Sequence, residues 1–284
     1  MASIIVHGGA GKIQEEKRDL VREKIRNSVE LGKEKLKRGK PYKSILSSIK
    51  YLEDSKIFNA GTGSVLTSDK KIQMDAGIVD QDRELGAVTC LEKTKNPILV
   101  ADEVKNRSNH VILSGKGAKI FARNRGYQKY DPKTKEKVKQ WENKKKSNSS
   151  NKYGTVGAVV VQSDKIVSAS STGGVWMKKQ GRIGDTPILG CGIYADSNLG
   201  VAATGHGEGI IKTMLSRKVR DFYVENRNLD QALDKDINFL EKKLEKPEDK
   251  AGLIAINKEQ EISFKKNTED MPVGYFRTDE KDVK

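Results

Sequence analysis

Residues 154–161 read GTVGAVVV, a run in which apolar β-branched side chains are dense and a glycine and a threonine stand at the start. Side chains of this kind favour extended backbone, so the run predicts a strand. Lys165–Ser171 follows after a short polar gap and is predicted to be its hairpin partner. Thr155 therefore stands at the glycine-flanked end of a strand.

The segment just before this run, residues 131–153, has a different composition: DPKTKEKVKQWENKKKSNSSNKY. It contains eight lysines and a tail of serine and asparagine, with Val138 and Trp141 as its one apolar pair. Burial of two side chains does not offset the entropy that is lost when such a stretch becomes ordered. We therefore predict a flexible, lysine-rich linker over residues 131–153.

Helices and strands alternate through the rest of the chain. Before the linker, the spacing of apolar residues predicts strands at Ser3–His7 and Leu85–Leu91, a hairpin of Ser64–Thr67 with Ile72–Asp75, and helices at Glu15–Lys37, Tyr42–Leu52, Ile98–Lys105 and Ala118–Asn124. After it, the spacing predicts strands at Ile188–Tyr194, Leu199–Thr204, Gly252–Asn257, Glu261–Lys265 and Val273–Phe276, and helices at Gly209–Glu225 and Leu229–Leu244. This order predicts an α/β (α+β) protein with layered, mainly antiparallel sheets.

Composition limits the classes of protein to which the chain can belong. Its 284 residues suffice for one large domain, and its two cysteines, Cys90 and Cys191, form no disulfide framework. No run approaches the roughly 20 apolar residues of a membrane span. The start, MASIIVHGGAGK, lacks the basic and apolar regions of a signal peptide, so we expect a cytoplasmic location and no membrane partner.

The net charge of +15 lies entirely in residues 1–154, because residues 155–284 contain 20 basic and 20 acidic side chains. A basic surface can bind nucleic acid. These lysines are scattered, however, with few aromatic residues among them. A solvated lysine-rich surface is therefore favoured, and nucleic acid is not the expected partner.

Three kinds of catalytic site lack essential parts. The three histidines and two cysteines have no metal-ligand spacing. HGGAG at residues 7–11 matches an oxyanion loop of lipases, but no G-x-S-x-G nucleophile motif accompanies it. There is no Walker A pattern, and GCGIYA at residues 190–195 is a weak dinucleotide signal without a convincing helix after it.

Three threonines lie at glycine-flanked strand ends: Thr155 in YGTVGA, Thr172 in SSTGG and Thr204 in ATGHGE. Any one of them is ordinary, because threonine suits strands and glycine suits turns. Together they make chemical sense if Thr155 becomes an N-terminus after cleavage of the Gly154–Thr155 bond. Its α-amine, with an ordinary pKa of about 7.7–8.0, could then serve as the base for its own hydroxyl.

Blocks over nearly the whole chain, Met1 to Arg277, carry a family resemblance. They are HGGAG (7–11), LEDSKIFNAGTGSVLTSD (52–69), MDAGIVD (74–80), GTVGAVVV (154–161), STGG (171–174), GRIGDTP (181–187), GCGIYAD (190–196), TGHGE (204–208) and FKKNTEDMPVGYFR (264–277). In this order they resemble plant-type L-asparaginases with isoaspartyl peptidase activity. That family has the N-terminal-nucleophile fold, a four-layer αββα sandwich.

The resemblance implies the catalytic roles. Thr155 is the nucleophile of both self-cleavage and turnover, which passes through a threonyl acyl-enzyme. Thr172 orients or tunes the Thr155 hydroxyl. Thr204 and the backbone N–H of Gly205 form the oxyanion hole.

The resemblance also implies the residues that recognise the substrate and support cleavage. Arg182 binds the substrate α-carboxylate, a task suited to a bidentate guanidinium. Asp185 binds the α-ammonium with help from the carbonyl of Gly207. Asn59 supports cleavage between Gly154 and Thr155.

No cofactor is implied for catalysis, but the family has a structural sodium ion held by backbone carbonyls, which suit a hard cation. A turn that holds itself without an ion is the alternative. The matching positions are Leu52, Glu53, Ser55, Phe58, Ala60 and Thr62.

The resulting hypothesis is an autoproteolytic amidohydrolase that acts on isoaspartyl peptides and on the side-chain amide of L-asparagine. Residues 1–154 become an α subunit, residues 155–284 a β subunit, and both belong to one structural domain. The resemblance implies a homodimer of such αβ pairs and a small-molecule or dipeptide substrate. The alternative is a non-catalytic basic scaffold or nucleic-acid-binding protein on the same fold.

One segment departs from the family pattern. VWMKKQ at residues 175–180 stands where relatives often have a smaller and more polar stretch. Trp176 and Met177 either narrow the site or pack elsewhere, which bears on the preferred leaving group.

Overall fold

The computed structural model describes residues 1–147, 154–244, 250–280 and 282–284. Within them lie eleven strands and eight α-helices. The strands are β1 (Ala2–His7), β2 (Met74–Asp80), β3 (Leu85–Leu91), β4 (Ile112–Ser114), β5 (Val156–Gln162), β6 (Lys165–Thr172), β7 (Ile193–Ala195), β8 (Leu199–Gly205), β9 (Ala251–Asn257), β10 (Ile262–Lys266) and β11 (Val273–Arg277). The helices are α1 (Arg18–Leu36), α2 (Pro41–Asp54), α3 (Pro97–Arg107), α4 (Gly115–Asn124), α5 (Lys135–Ser147), α6 (Gly207–Thr213), α7 (Leu215–Asn226) and α8 (Leu229–Lys243).

The strands form two sheets. The larger has the order β11-β1-β5-β6-β2-β3-β4, antiparallel except for the parallel β3–β4 pair. The smaller has the order β10-β9-β8-β7 and is antiparallel throughout. The chain is therefore a mixed α/β protein, and the predicted hairpin of β5 with β6 is confirmed.

Alternating side chains of β1 separate two cores. Ile4 and Val6 belong to the core that packs against α1 and α2, whereas Ile5 belongs to the core shared with Ile254 and Ile256 of the smaller sheet. The period of two along a strand explains this division, since successive side chains point to opposite faces. The two sheets thus face each other across an apolar core.

The smaller sheet has helices on its other face. Val201 of β8 and Leu253 of β9 pack with Val219 of α7 and Leu233 of α8. Each sheet therefore has one face toward the other sheet and one toward helices. No helix among the described residues is long and apolar enough to cross a bilayer.

The prediction of a flexible linker is wrong for its described part, residues 131–147. Helix α5 occupies Lys135–Ser147, and Trp141 is only 7% exposed in a cluster with Leu66, Ile72 and Met74. The indole N–H donates to the carbonyl of Thr67 at 2.8 Å. Trp141 is the main apolar anchor of the helix, because a large aromatic side chain buries far more area than a small apolar residue, and Lys17 and Lys70 add ion pairs with Glu136 and Glu142. Residues 148–153 of the predicted linker lie outside the described residues.

Other element predictions differ in detail. Ser64–Thr67 and Ile72–Asp75 do not form a hairpin, because β2 begins at Met74 and pairs with β3 and β6. The helix predicted over Gly209–Glu225 is broken at Met214, whose φ of +49° is left-handed. Of the strand expected at Ile188–Tyr194, only Ile193 and Tyr194 lie in a strand, β7, which pairs with β8. The short strand β4 was not predicted.

Candidate active site

Two of the three threonines meet at neighbouring strand ends. In the β5–β6 hairpin Val156 pairs with Ser171, so Thr155, just before β5, lies beside Thr172, the last residue of β6. The Thr155 hydroxyl donates to Thr172 Oγ1 at 3.0 Å. The N–H of Gly174 donates to the same oxygen at 3.0 Å, which holds the Thr172 side chain in place.

Asn59 ties the Gly154–Thr155 bond to the loop after β6. Its backbone N–H donates to the carbonyl of Gly154 at 3.0 Å, and its carbonyl accepts from the N–H of Gly173 at 2.8 Å. Its side-chain amide donates to the carbonyl of Gly174 at 2.6 Å and accepts from the N–H of Val65 at 2.8 Å. All four polar groups of Asn59 are thus hydrogen-bonded, and its backbone N–H holds the carbonyl that precedes Thr155.

The HGGAG loop closes against Gly154 from the other side. Gly9 has a φ of +99°, and a β-carbon there would lie 2.6 Å from the Cα of Gly154, so the position requires glycine. The N–H of Gly9 donates to Nδ1 of the buried His7 at 3.1 Å, so the proton of the neutral ring lies on Nε2. Burial lowers the pKa of His7 to about 3, so this ring is neutral at physiological pH.

Arg182, Asp185 and Gly207 converge. A β-carbon on Gly207 would lie 2.8 Å from Asp185 Oδ1 and 2.9 Å from Arg182 Nη2. Arg182 Nε and Nη2 donate to the two carboxylate oxygens of Glu208 at 3.0 and 2.8 Å. The guanidinium is thus already in the two-pronged geometry with which it would bind a ligand carboxylate. Glu208 was not singled out from the sequence, although it ends the TGHGE block.

Asp185 has a buried carboxyl group that can accept a further hydrogen bond. Its Oδ2 has no hydrogen-bond partner among the described residues. Burial raises the pKa of Asp185 to about 7, while the nearby Arg182 acts in the opposite direction. A cationic ligand at Oδ2 would favour the ionised form.

Thr204 and Gly205 end strand β8 in the smaller sheet. The Thr204 side chain is buried, and its Oγ1 has no hydrogen-bond partner within the described chain. Gly205 has a φ of +139°, and a β-carbon there would lie 2.3 Å from the carbonyl of Lys250, so no other residue fits. This end of β8 thus keeps a buried hydroxyl available beside a turn that only glycine can make, and no hydrogen bond among the described residues joins it to Thr155 or Thr172.

A buried ion pair beside Thr172 was missed by the sequence reasoning. Asp75 of β2 pairs with Thr172 of β6, and its Oδ1 accepts from the N–H of Cys90 at 2.8 Å. Lys178 Nζ lies 3.7 Å from Asp75 Oδ2, and both side chains are fully buried. Burial raises the pKa of Asp75 and lowers that of Lys178, and each charge partly counters the effect on the other. Asp75 lies in the family block MDAGIVD quoted above, whereas Lys178 lies in VWMKKQ, the segment that departs from the family pattern, so only Asp75 carried a signal in the sequence.

The loop of the expected sodium site is partly held by its own hydrogen bonds. The carbonyl of Leu52 accepts from the N–H of Ser55, and that of Glu53 accepts from the N–H of Thr62 at 2.8 Å. The remaining positions have carbonyls that accept no hydrogen bond from the described residues, and these oxygens suit a hard cation. They are Ser55, Phe58, Ala60 and Thr62.

The Glu53 side chain turns away from that loop. Its carboxyl accepts from the Ser171 hydroxyl at 2.6 Å and from the N–H of Ile98 at 3.0 Å. Burial raises the pKa of Glu53 to about 8. Within the described ranges no group of three or more His, Cys, Asp or Glu side chains could hold a metal ion.

Comparison with known proteins adds a second line of observation. A family model described as Asparaginase matches residues 1–283. The chain is 40% identical to a plant-type L-asparaginase of Thermococcus kodakarensis, with 98% of this chain and 97% of the relative covered. It is 39% identical to a plant-type L-asparaginase of Pyrococcus furiosus over the same shares of the two chains. An isoaspartyl peptidase/L-asparaginase of Xenopus laevis is 34% identical, with 98% and 93% covered.

Proposed function

The chain belongs to the asparaginase family, and from this membership and the site geometry we propose that it is a self-cleaving isoaspartyl peptidase and L-asparaginase with Thr155 as nucleophile. The observation that carries the proposal is the 3.0 Å hydrogen bond between the Thr155 and Thr172 hydroxyls, at a peptide bond whose carbonyl is held by Asn59.

The two facing sheets with helices outside them are, in this proposal, the four-layer αββα sandwich of N-terminal-nucleophile hydrolases. Cleavage divides the chain into an α subunit, residues 1–154, and a β subunit, residues 155–284. A homodimer of αβ pairs and a cytoplasmic location are part of the same proposal.

Maturation begins with attack of Thr155 Oγ1 on the carbonyl carbon of Gly154. The C–N bond breaks, the acyl group passes to the hydroxyl oxygen as an ester, and the nitrogen leaves as the free α-amine. Water then hydrolyses the ester and releases the carboxylate of Gly154. Asn59 supports this step because its N–H already polarises the carbonyl that is attacked.

Turnover uses the amine that maturation creates. The α-amine accepts the proton of Thr155 Oγ1, and the oxygen attacks the side-chain carbonyl of the substrate. Thr204 and the N–H of Gly205 stabilise the oxyanion. The leaving amine takes the proton, and water hydrolyses the aspartyl ester in the second half of the reaction.

Recognition falls to the convergent group of Arg182, Asp185 and Gly207. The Arg182 guanidinium binds the substrate α-carboxylate, which displaces the carboxylate of Glu208. Asp185 Oδ2 and the carbonyl of Gly207 bind the α-ammonium. Both substrate groups must then be free, as they are in asparagine and in an N-terminal isoaspartyl residue. The family sodium ion, if bound, would contact the carbonyls of the loop from Leu52 to Thr62 and would keep Asn59 in position.

An intact-mass time course with N-terminal sequencing tests the proposal. We expect two fragments, one of which begins at Thr155, together with hydrolysis of L-asparagine. Thr155→Ala should remain one full-length, inactive chain. A wild-type chain that stays whole and inactive, but is retained on nucleic acid in a salt-dependent way, would instead favour the basic scaffold.

A further inference from the structure

The turn that follows β6 is linked to both reacting groups of the proposed self-cleavage. The N–H of Gly174 donates to Thr172 Oγ1 at 3.0 Å, and its carbonyl accepts from the side-chain amide of Asn59 at 2.6 Å. Thr172 Oγ1 also accepts from the Thr155 hydroxyl, and the backbone N–H of Asn59 donates to the carbonyl of Gly154. A displacement of Gly174 would therefore disturb the nucleophile and the carbonyl that it attacks.

The sequence of this turn does not make it rigid. Gly173 and Gly174 follow each other, and Gly174 has a φ of +80°, a conformation that glycine enters freely. Glycine loses more conformational freedom on folding than any other residue, so a fixed arrangement of this pair requires contacts from outside the turn.

The side chain of Lys178 makes such a contact. A β-carbon on Gly174 would lie 2.7 Å from Lys178 Nζ and 2.9 Å from its Cδ, so the lysine packs directly against the backbone of Gly174. The lysine side chain is fully buried, and its Nζ lies 3.7 Å from Asp75 Oδ2. Nζ makes no hydrogen bond within the described chain, so attraction to this carboxylate is what holds it in place.

Asp75 has a fixed position beside the end of β6. The pairing of β2 with β3 shifts register between Met74 and Ala76, and Cys90 of β3 has a left-handed φ of +49°. The N–H of Cys90 donates to Asp75 Oδ1 at 2.8 Å. Irregularities of this kind re-aim side chains next to active sites. In the pairing of β2 with β6, Asp75 stands directly opposite Thr172.

The backbone on the other side of the ion pair is also held in an unusual conformation. Met177 has a left-handed φ of +59°, which is uncommon for a large side chain. Its N–H donates to the carbonyl of Leu66, and the carbonyl of Lys178 accepts from the N–H of Ser68, both at 3.0 Å. Trp176 and Met177 pack on the apolar cluster that anchors α5. A strained residue persists where its surroundings over-determine it, so Lys178 is presented from a fixed backbone.

A buried ion pair is a poor choice for stability alone. Desolvation of the two charges offsets most of their attraction, and a well-packed apolar side chain would fill the same space at a similar or lower cost. The ion pair adds a defined position for the tip of the lysine, which is tied to β2, whereas the tip of a methionine side chain is flexible.

We propose that Lys178, held by Asp75, is a positioning residue that fixes Gly174 and, through it, the Thr172 hydroxyl in the geometry needed for self-cleavage and turnover. The inference rests on the proposed function of Thr155.

The test measures the first-order rate constant of self-cleavage by intact mass, and then kcat and KM of the cleaved protein for L-asparagine. In Lys178→Met we expect cleavage to slow by about 10- to 100-fold, because a small displacement of reacting groups has effects of this size. The value of kcat should fall by a similar factor. KM should stay within about threefold, because Arg182 and Asp185 still bind the substrate.

Three further variants separate positioning from stability. Asp75→Asn/Lys178→Met has no unpaired buried charge and should regain stability relative to Lys178→Met, yet its cleavage and kcat should stay low. Leu233→Ala opens a cavity in the core of the smaller sheet and its helices, and should be destabilised but cleave at the wild-type rate. Lys179→Met removes the next lysine in the chain, which is exposed, and should also cleave at the wild-type rate.

A wild-type rate of cleavage in Lys178→Met would overturn the inference. A double variant whose cleavage recovers together with its stability would do so too, as would a Leu233→Ala chain that is slowed as much as Lys178→Met. Failure of the proposed function looks different: the wild-type chain yields no fragment that begins at Thr155 and hydrolyses no L-asparagine, and the inference then falls with it.

Discussion

At the scale of single residues, the candidate site is built from buried polar atoms whose hydrogen-bonding capacity is left open. Thr204 Oγ1 and Asp185 Oδ2 have no partner in the described chain, while Thr155 and Thr172 bond to each other. Burial without a partner costs free energy, and such atoms therefore mark places where a ligand can supply the missing bond. The open atoms here are those that the proposed reaction needs.

Arg182→Ala separates recognition from self-cleavage. The contacts that hold the Gly154 carbonyl come from Asn59, so the variant should still cleave. Loss of a charge-assisted pair costs about 1.5–3 kcal/mol, so kcat/KM for L-asparagine should fall about 10- to 160-fold. Steady-state kinetics check this, with Arg182→Lys as the variant that keeps charge but not the two-pronged geometry. Normal turnover in Arg182→Ala would show that the carboxylate assignment is wrong.

Lys178→Met tests the buried ion pair beside Thr172. The change leaves the fully buried Asp75 without its cation and should lower the free energy of unfolding by about 3–5 kcal/mol. Urea unfolding of the uncleaved Thr155→Ala chain measures this with the connectivity unchanged. The double variant Asp75→Asn/Lys178→Met should lose less than the single one. An equal loss in both would mean that packing, not charge, carries the effect.

At the scale of elements, α5 illustrates how a charged segment can still be ordered. Its mean hydropathy is low and most of its side chains are polar, yet Trp141 packs on the segment just before β2. Just before the helix, the carbonyl of Pro132 accepts a hydrogen bond from the N–H of Gly63 at 3.1 Å. An anchor of this kind depends on a groove that other parts of the chain provide. The helix in turn places Lys137 and Lys144 over the ring of Trp176.

The α7–α8 pair contains a carboxyl that should make stability depend on pH. Asp236 of α8 is buried, neither oxygen has a partner among the described residues, and burial raises its pKa to about 8. Between its unfolded pKa near 3.8 and this value the folded chain binds the extra proton, so stability falls as pH rises.

Asp236→Asn removes that dependence. As the pH rises from 5 to 8, the parent loses unfolding free energy and the variant does not. The difference in unfolding free energy, variant minus parent, should therefore increase by about 2–4 kcal/mol over this range. Urea unfolding at both pH values, in the Thr155→Ala background, measures the gain. A difference between the two proteins that is the same at pH 5 and pH 8 would contradict the prediction.

At the scale of the whole molecule, the two proposed subunits are interleaved. In the larger sheet β1 lies between β11 and β5, and β2 pairs with β6, so strands from residues 1–154 lie on both sides of the β5–β6 pair. The apolar core between the sheets likewise takes side chains from both parts. Cleavage at Gly154–Thr155 breaks one covalent bond and none of these contacts.

The fragments should therefore stay together after cleavage. Size-exclusion chromatography should give one peak that contains both fragments in equal amounts, and they should separate only in denaturant. The uncleaved Thr155→Ala chain is the control for the elution position. Spontaneous separation of the fragments in native buffer would contradict the interleaved topology.

The sequence alone determined the order of the main strands and helices and pointed to the set of threonines, because hydrophobic periodicity and glycine-flanked motifs are local properties. It also carried the family blocks, and the family was confirmed by comparison. The strand expected at GTVGAVVV is β5, and its predicted hairpin partner is β6.

Only the tertiary structure decided which residues become neighbours across long stretches of chain. Asn59 forms a hydrogen bond with Gly154, Lys178 forms a buried ion pair with Asp75, and Glu208 accepts a hydrogen bond from Arg182. No local sequence pattern encodes these contacts. For the same reason the sequence predicted a flexible linker where the structure has the ordered helix α5. Whether one tryptophan can order a lysine-rich segment depends on the groove it fills, and that groove exists only when the rest of the chain has folded.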